Sequence, residues 1–263
     1  MLDKISSEYI NSALNEYNVS ATIYPLLEST NKTAKKQALS GAESGTLIIA
    51  EQQTGGKGRL GRTFYSPDKS GVYFSLVLKD KCILKNSSLI TTAAAVAVCR
   101  AIEAFGDKSP KIKWVNDIFI DGKKVCGILS EASFSGEENL DFVVLGIGIN
   151  LYPPKDSFPK DIKDIAGTIF ESEQVGIKNQ LITEIIKNFF DIIVPDSIDF
   201  IDEYQNRMLL IGETVYYTQN GENKKAKVLG VDDDCRLKVL LDNGETKLLY
   251  SGEITIGSKN INQ

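Results

Sequence analysis

Apolar positions recur at two spacings along the chain, and the spacings predict its elements. Leu2, Ile5, Tyr9, Ala13 and Tyr17, with Ile10 and Leu14 beside them, follow a helical period, so residues 3–17 are expected to form an amphipathic helix. A short strand is expected over Ile23–Leu27. A helix then starts at Ser29-Thr30-Asn31, whose side chains suit an N-cap, and ends near Gly41. Thr46–Glu51 and Val72–Leu78 are β-type runs, and Asn86–Phe105 is the longest helical stretch, stopped by Gly106. Ile112–Trp114, Ile118–Ile120, Val125–Glu131 and Leu140–Ile149 are expected strands, with Asp121-Gly122 a hairpin turn. Pro153, Pro154 and Pro159 mark a loop, and Leu181–Val194 and Asp199–Met208 follow as helices.

From Gly212 the texture changes to short strands only: Thr214–Tyr217, Lys225–Val231, Arg236–Leu241 and Glu245–Tyr250. They are separated by Asn220-Gly221, Asp232–Asp234 and Asn243-Gly244. A barrel this small needs a neighbour to bury enough surface. The expected division is residues 1–207 as one domain and 208–263 as a second.

Composition narrows the chemistry. With 42% hydrophobic and 25% charged residues the chain can build a core, and no apolar run approaches a membrane span. The polar start MLDKISSEY lacks a secretory signal, so a cytoplasmic location is expected. Cys82, Cys99, Cys126 and Cys235 are too far apart for a metal or redox pair and are expected to be reduced, mostly buried thiols. The chain contains no histidine, which removes Ser-His-Asp and Cys-His nucleophiles and His-ligated zinc. A net charge of −5 argues against a general nucleic-acid surface.

Against that charge stands the stretch Gly55-Gly56-Lys57-Gly58-Arg59-Leu60-Gly61-Arg62. Part of it satisfies G-x-G-x-x-G after a strand, with Asp80 about 20 residues on, as a dinucleotide fold requires. The fingerprint must also open a helix, and no helix fits between Gly61 and Val72, so the dinucleotide reading and a nicotinamide-dependent oxidoreductase fail. A kinase loop fails too, since neither H-R-D nor D-F-G follows. Glycines that let backbone N–H groups approach an anion, alternating with three cations, make an anion-binding loop a better reading than a solvated basic turn.

The same stretch resembles the glycine–arginine signature of the biotin protein ligase family. Other collinear matches are Glu28-Ser29-Thr30-Asn31, Gln53, Lys113-Trp114-Val115-Asn116-Asp117, Gly122-Lys123-Lys124-Val125-Cys126-Gly127-Ile128-Leu129, Gly146–Asn150 and Gly252-Glu253-Ile254. Two departures stand out: Lys57 in place of arginine keeps the charge and loses the bidentate fork, and Val115 replaces a proline. The resemblance implies an α+β fold: a mixed-sheet catalytic domain, similar to class II aminoacyl-tRNA synthetases, with a small SH3-like C-terminal β-barrel. Only 27 residues precede the first motif, room for one helix and a strand, so no operator-binding helix-turn-helix and no specific DNA binding are expected.

The implied reaction joins biotin to ATP as biotinyl-5′-AMP, with Mg²⁺, and then passes the biotinyl group to a lysine of a biotin carboxyl carrier protein or domain of a carboxylase or decarboxylase. The biotin carboxylate is already ionised, so the first step needs cations rather than a histidine base. By resemblance, Lys124 touches both the biotin carboxylate and the α-phosphate, Arg59 and Lys57 bind acyl and phosphate groups, and Arg62 lies nearer the nucleotide. Gly56 and Gly58 belong to the biotin side. Ser29, Thr30, Asn31 and Gln53 are expected to hydrogen-bond the ureido ring, Asn116 and Asp117 to take the nucleotide, and Asp117 to take the metal.

Local readings remain open beside these: Lys124 as a hairpin lysine next to Lys123, Ser29–Asn31 as plain caps, and Asn116-Asp117 as a turn. Asn150 either faces the nucleotide or closes the sheet, and Trp114 suits a core position. A lipoate or octanoate ligase of the same fold would carry R-R-x-x-G-G-G, which is absent. A non-catalytic biotin sensor would not need the full set of cations. Both monomers and homodimers are compatible with the resemblance.

Overall fold

The structure is a computed structural model and describes residues 3–136, 139–194, 198–219, 222–250 and 256–257. The Gly252-Glu253-Ile254 motif and the Asn220-Gly221 turn lie outside the described residues.

The first element, α1 (Ser7–Ala13), is shorter than the periodicity suggests, and a 3₁₀ turn follows at Asn15–Tyr17. Ser6 caps α1 by accepting from the Tyr9 amide. Residues 3–5 stay out of the helix because their backbone is bound elsewhere: Asp3 N–H donates to Glu173, and the Lys4 carbonyl accepts from Asn179. Strand β1 runs over Ser20–Tyr24 rather than Ile23–Leu27. Pro25 follows it and has no N–H to give a ladder. Next come α2 (Thr30–Leu39), β2 (Thr46–Ala50) and β3 (Gly71–Leu78). The long helix expected over 86–105 divides into a 3₁₀ turn at Ser87–Leu89 and α4 (Ile90–Glu103), with a short α3 (Lys81–Lys85) ahead of it.

Strands β4 (Lys111–Lys113), β5 (Asp117–Ile120), β6 (Lys123–Ser135) and β7 (Asn139–Asn150) complete a seven-stranded sheet of order β1-β2-β3-β7-β6-β5-β4. The β1–β2 pair is parallel and the other neighbours antiparallel, so the sheet is mixed. Asp121 (φ 49°) and Gly122 (φ 74°) turn the β5–β6 hairpin as their sequence foretells. Helices α5 (Ile177–Ile193) and α6 (Phe200–Arg207) follow. The last strands, β8 (Thr214–Gln219), β9 (Glu222–Val231), β10 (Leu237–Leu240), β11 (Thr246–Leu249) and β12 (Ile256–Gly257), form an antiparallel sheet of order β11-β10-β9-β8-β12.

Alternation along the strands decides which face does what. Leu145, Ile147 and Ile149 of β7 join the main core with α4 and α5. Phe142 and Val144 face the other way, against Ala34 and Ala38 of α2. Continuing that second face along β7 reaches Gly146, Gly148 and Asn150, where bulk disappears and room for a site begins. Cys99, Cys126 and Cys235 are buried, Cys82 is exposed, and all four are free thiols. Burial pushes the Cys99 thiol up to about 12, so it has little thiolate character at neutral pH. No helix among the described residues is long and apolar enough to cross a membrane.

Candidate active site

Three neighbouring strands supply the floor. Register places Gly148 opposite Gly127 of β6 and Tyr73 of β3, and Gly146 opposite Leu129 and Ser75. The glycines are needed for space. A Cβ at Gly148 would stand 2.7 Å from the Phe64 ring and one at Gly127 3.2 Å from it, so that ring sits directly on the paired glycines. A Cβ at Gly146 would overlap the Asn31 amide.

The start of α2 enters above this floor. Ser29 holds the N-cap position, yet its hydroxyl makes no capping bond, so plain capping does not account for it. Thr30 donates to Gln53 Oε1 from both its amide (2.8 Å) and its hydroxyl (3.2 Å). Ser75 donates to Asn31 Oδ1 at 2.6 Å, and its oxygen lies within hydrogen-bond distance, 2.8 Å, of the Thr30 hydroxyl. Asn31 in turn donates to Glu131 (2.8 Å) and the Leu129 carbonyl. Ser29, Thr30, Asn31 and Gln53, with Lys57 and Phe64, line a narrow pocket of about 20 Å³, room for about one water.

Beside it opens a cleft of about 460 Å³. The glycine stretch forms one wall as a tight excursion, closed by Phe64 N–H to the Gly56 carbonyl and Gly58 N–H to the Arg62 carbonyl, both 2.8 Å. Its 3₁₀ tip, Arg59–Gly61, leaves Leu60 exposed, and no α-helix follows. Gly56 is buried behind the wall and lines neither space, while Gly58 lines the cleft. Among the described residues, five cations line the cleft, Lys57, Arg59, Arg62, Lys113 and Lys124, against the single carboxylate of Asp117.

Within it Arg59 donates to Asn116 Oδ1 (3.1 Å), and Asn116 donates to the Ile128 carbonyl (2.8 Å). Lys124 Nζ lies 2.7 Å from Asp117 Oδ1, so Lys124 is not a free hairpin lysine: it is half-buried in an ion pair. The approach leaves that buried oxygen without a well-directed hydrogen bond. Burial lowers the pKa of Arg59, partly offset by Asp117. Burial also lowers that of Lys113, with Lys124 and Arg62 adding repulsion against the attraction of Asp117. Buried cations that repel one another are stabilised by an arriving anion.

Asn150 lies apart from the cleft, in a recess shared with Thr63, Phe64, Tyr65, Lys124, Ile162, Ile165 and Ala166, and its carbonyl accepts from Ile169. Several lining residues escaped the sequence reading. Lys113 opens the Lys113–Asp117 motif, whose spacing assigns it no role. Phe64 borders the cleft, the narrow pocket and the recess. Ile162 and Ile165 come from the proline-marked loop, pinned when Lys124 N–H donates to the Ile165 carbonyl and Gly167 N–H to the Lys124 carbonyl, each 2.8 Å. The loop folds as turns rather than a helix or strand, so which of its side chains reach the cleft is decided by these tertiary hydrogen bonds and not by spacing along the chain.

Comparison with known proteins places the chain in a family. Residues 23–150 match the Biotin/lipoate A/B protein ligase family, and residues 210–257 match the Biotin protein ligase C terminal domain. The Bifunctional ligase/repressor BirA of Bacillus subtilis is 33% identical over 239 residues, 89% of this chain and 73% of the relative. The chain belongs to the biotin protein ligase family. A family member from Mycobacterium tuberculosis, Biotin--[acetyl-CoA-carboxylase] ligase, is 26% identical over 240 residues, covering 86% of this chain and 85% of the relative. The biotin protein ligase from Aquifex aeolicus solved with biotin and ATP superposes with a TM-score of 0.76 at 26% identity, over 91% of this chain and 99% of that one. The overall fold is therefore that of the family.

Proposed function

We propose that the chain activates biotin with ATP to biotinyl-5′-AMP and transfers the biotinyl group to a lysine of a biotin carboxyl carrier protein or domain. The ligase activity is that of its family. The observation that best supports the residue roles is the cleft with five cations and one carboxylate, in a chain of net charge −5, opening beside a pocket of hydrogen-bonding groups.

In this reading Ser29, Thr30, Asn31 and Gln53 meet the ureido head in the narrow pocket. Lys57, Arg59 and Lys124 hold the carboxylate against the α-phosphate. Arg62, Lys113, Asn116 and Asp117 take the nucleotide, and Leu60, Ile162 and Ile165 offer apolar surface to its base. A carboxylate oxygen bonds to the α-phosphorus as the bond to the β-phosphate oxygen breaks and pyrophosphate leaves. Two anions that repel in water are held together by fixed cations, which is transition-state stabilisation through charge. The carrier's lysine amine then bonds to the acyl carbon, and AMP leaves with the electrons of the broken C–O bond.

The Asp117 oxygen left without a directed hydrogen bond suits a magnesium ligand, since Mg²⁺ takes few protein carboxylates and completes its shell with phosphates and water. When bound, the ion would neutralise phosphate charge; Lys124 would then turn from Asp117 toward the substrate. The carrier of a biotin-dependent carboxylase is the proposed acceptor.

Biotin with Mg·ATP should therefore drive exchange of labelled pyrophosphate into ATP, and lipoate and octanoate should not. Equal exchange with all three acids, or none with biotin, would overturn the substrate assignment.

A pocket the size of one water cannot admit a bicyclic head until Phe64 and the glycine stretch part. The stretch has little apolar surface except Leu60 and carries like charges, so it gains little from closure until an anion arrives. Trypsin should cut at Arg59 and Arg62 in the free protein, more slowly with biotin, and slowest with biotin and Mg·ATP. An unchanged cleavage rate at saturating ligand would mean a static turn.

A further inference from the structure

The segment Lys113–Asp117, which carries Asn116 and Asp117 into the cleft, is fastened from behind by Tyr204, Leu209 and Cys235, none of which lines the cleft. Trp114 is 6% exposed, and its indole N–H donates 2.9 Å to the Cys235 carbonyl, in the turn between β9 and β10 of the second sheet. Tyr204 of α6 is fully buried and donates 3.2 Å to the Val115 carbonyl. Leu209 N–H donates to the Ile112 carbonyl, bringing the chain that leads to the second sheet alongside β4.

The turn that presents Cys235 is itself built for the purpose. Cys235 adopts φ 56°, a left-handed conformation that a side-chain-bearing residue enters at a cost. Asp232 holds it there: its carboxylate accepts from the amides of Asp234 (3.1 Å) and Arg236 (2.8 Å) and from the Arg236 side chain (2.7 Å), while its carbonyl accepts from Cys235 N–H. On the cleft side, Ile128 N–H donates to the Asn116 carbonyl (3.0 Å). The segment is clamped between β6 in front and α6 with the second sheet behind.

We propose that Trp114 and Tyr204 are positioning residues for the nucleotide half of the site, so that the Asp232–Arg236 turn of the second sheet sets ATP affinity and adenylation rate without touching a substrate. The inference rests on the reading of Asn116 and Asp117 as the nucleotide end. The head pocket is built from α2, β3, Gln53 and the ends of β6 and β7, so biotin binding should be indifferent to these fastenings.

Trp114 also lines the cleft, so the test uses Tyr204→Phe and Asp232→Ala, which alter no lining residue. Each should raise KM for ATP by about three- to tenfold, the change expected from one lost hydrogen bond or a loosened turn, with biotin Kd unchanged within about twofold. Asp232→Asn keeps an acceptor for the two amides and should restore most of the affinity. Circular dichroism and the melting temperature establish that each variant is folded; Tyr204→Phe, which deletes a single oxygen, serves if Asp232→Ala is not.

Asp117→Asn runs in parallel. If it raises KM for ATP while the folded Tyr204→Phe and Asp232→Ala do not, the positioning role is wrong and the nucleotide reading stands. If Asp117→Asn also leaves KM for ATP unchanged, the nucleotide reading falls and takes this inference with it. Equal weakening of biotin and ATP in the two distant variants would mean a global packing role and would overturn the proposal.

Discussion

Replacing Lys124 with alanine should slow adenylate formation by two to four powers of ten, the loss expected from removing roughly 3–5 kcal/mol of transition-state charge stabilisation. The ammonium lies 2.7 Å from Asp117 at the mouth shared by the cleft and the recess that holds Asn150. Its backbone is fixed on both sides, by β5 and by the Ile165–Gly167 segment. With the backbone fixed, a rotation of the side chain away from Asp117 is enough to bring the ammonium to the reacting anions, and this is why its loss should fall on the rate.

Some stability should be lost with it, because the buried Asp117 oxygen loses its cation, but the side chains are 27% and 22% accessible, so water can take over part of that role and the fold should survive. Single-turnover formation of biotinyl-5′-AMP, measured beside the melting temperature, separates the two effects. A near-normal adenylation rate would remove Lys124 from the reacting centre.

Gly146→Ala should weaken biotin binding by about a hundredfold or more. The added methyl would overlap Asn31 Oδ1, and Asn31 cannot turn away without giving up its bonds to Ser75, Glu131 and the Leu129 carbonyl. If Asn31 stays, the start of α2 must move instead, and the bonds from Thr30 to Gln53 go with it. Either response dismantles the head pocket. Overpacking of a filled site costs about 1–3 kcal/mol in stability, so the variant should fold with a lowered melting temperature. Calorimetric titration with biotin tests this, and wild-type affinity in the variant would show that the Asn31 corner is not part of the biotin pocket.

The chain's local patterns carried a great deal. The apolar run Leu140–Ile149 marked the strand that the structure extends to Asn139–Asn150, and Asp121-Gly122 marked the turn of the β5–β6 hairpin. Where the pattern misled, a particular residue or contact explains it. Pro25 ends the β1 ladder, and the side chains of Glu173, ahead of α5, and Asn179, within it, claim the backbone of Asp3 and Lys4. The absence of histidine and the cation-and-glycine stretch directed attention to anion chemistry before any contact was known.

What the sequence determined by itself was thus the kind of element at each place, the stock of charges and the motifs that mark the family. Periodicity and turn chemistry act over a few residues and are written locally. The tertiary structure alone decided which of these residues meet: Lys124 with Asp117, Arg59 with Asn116 57 residues away, Phe64 on Gly127 and Gly148, and Trp114 with Cys235 across 121 residues. Lys113 became part of the cleft, and Asn150 moved to its side, for the same reason. Such contacts depend on strand register and on how helices and loops cross the sheet, which are set by burial of the whole core rather than by any segment's own spacing.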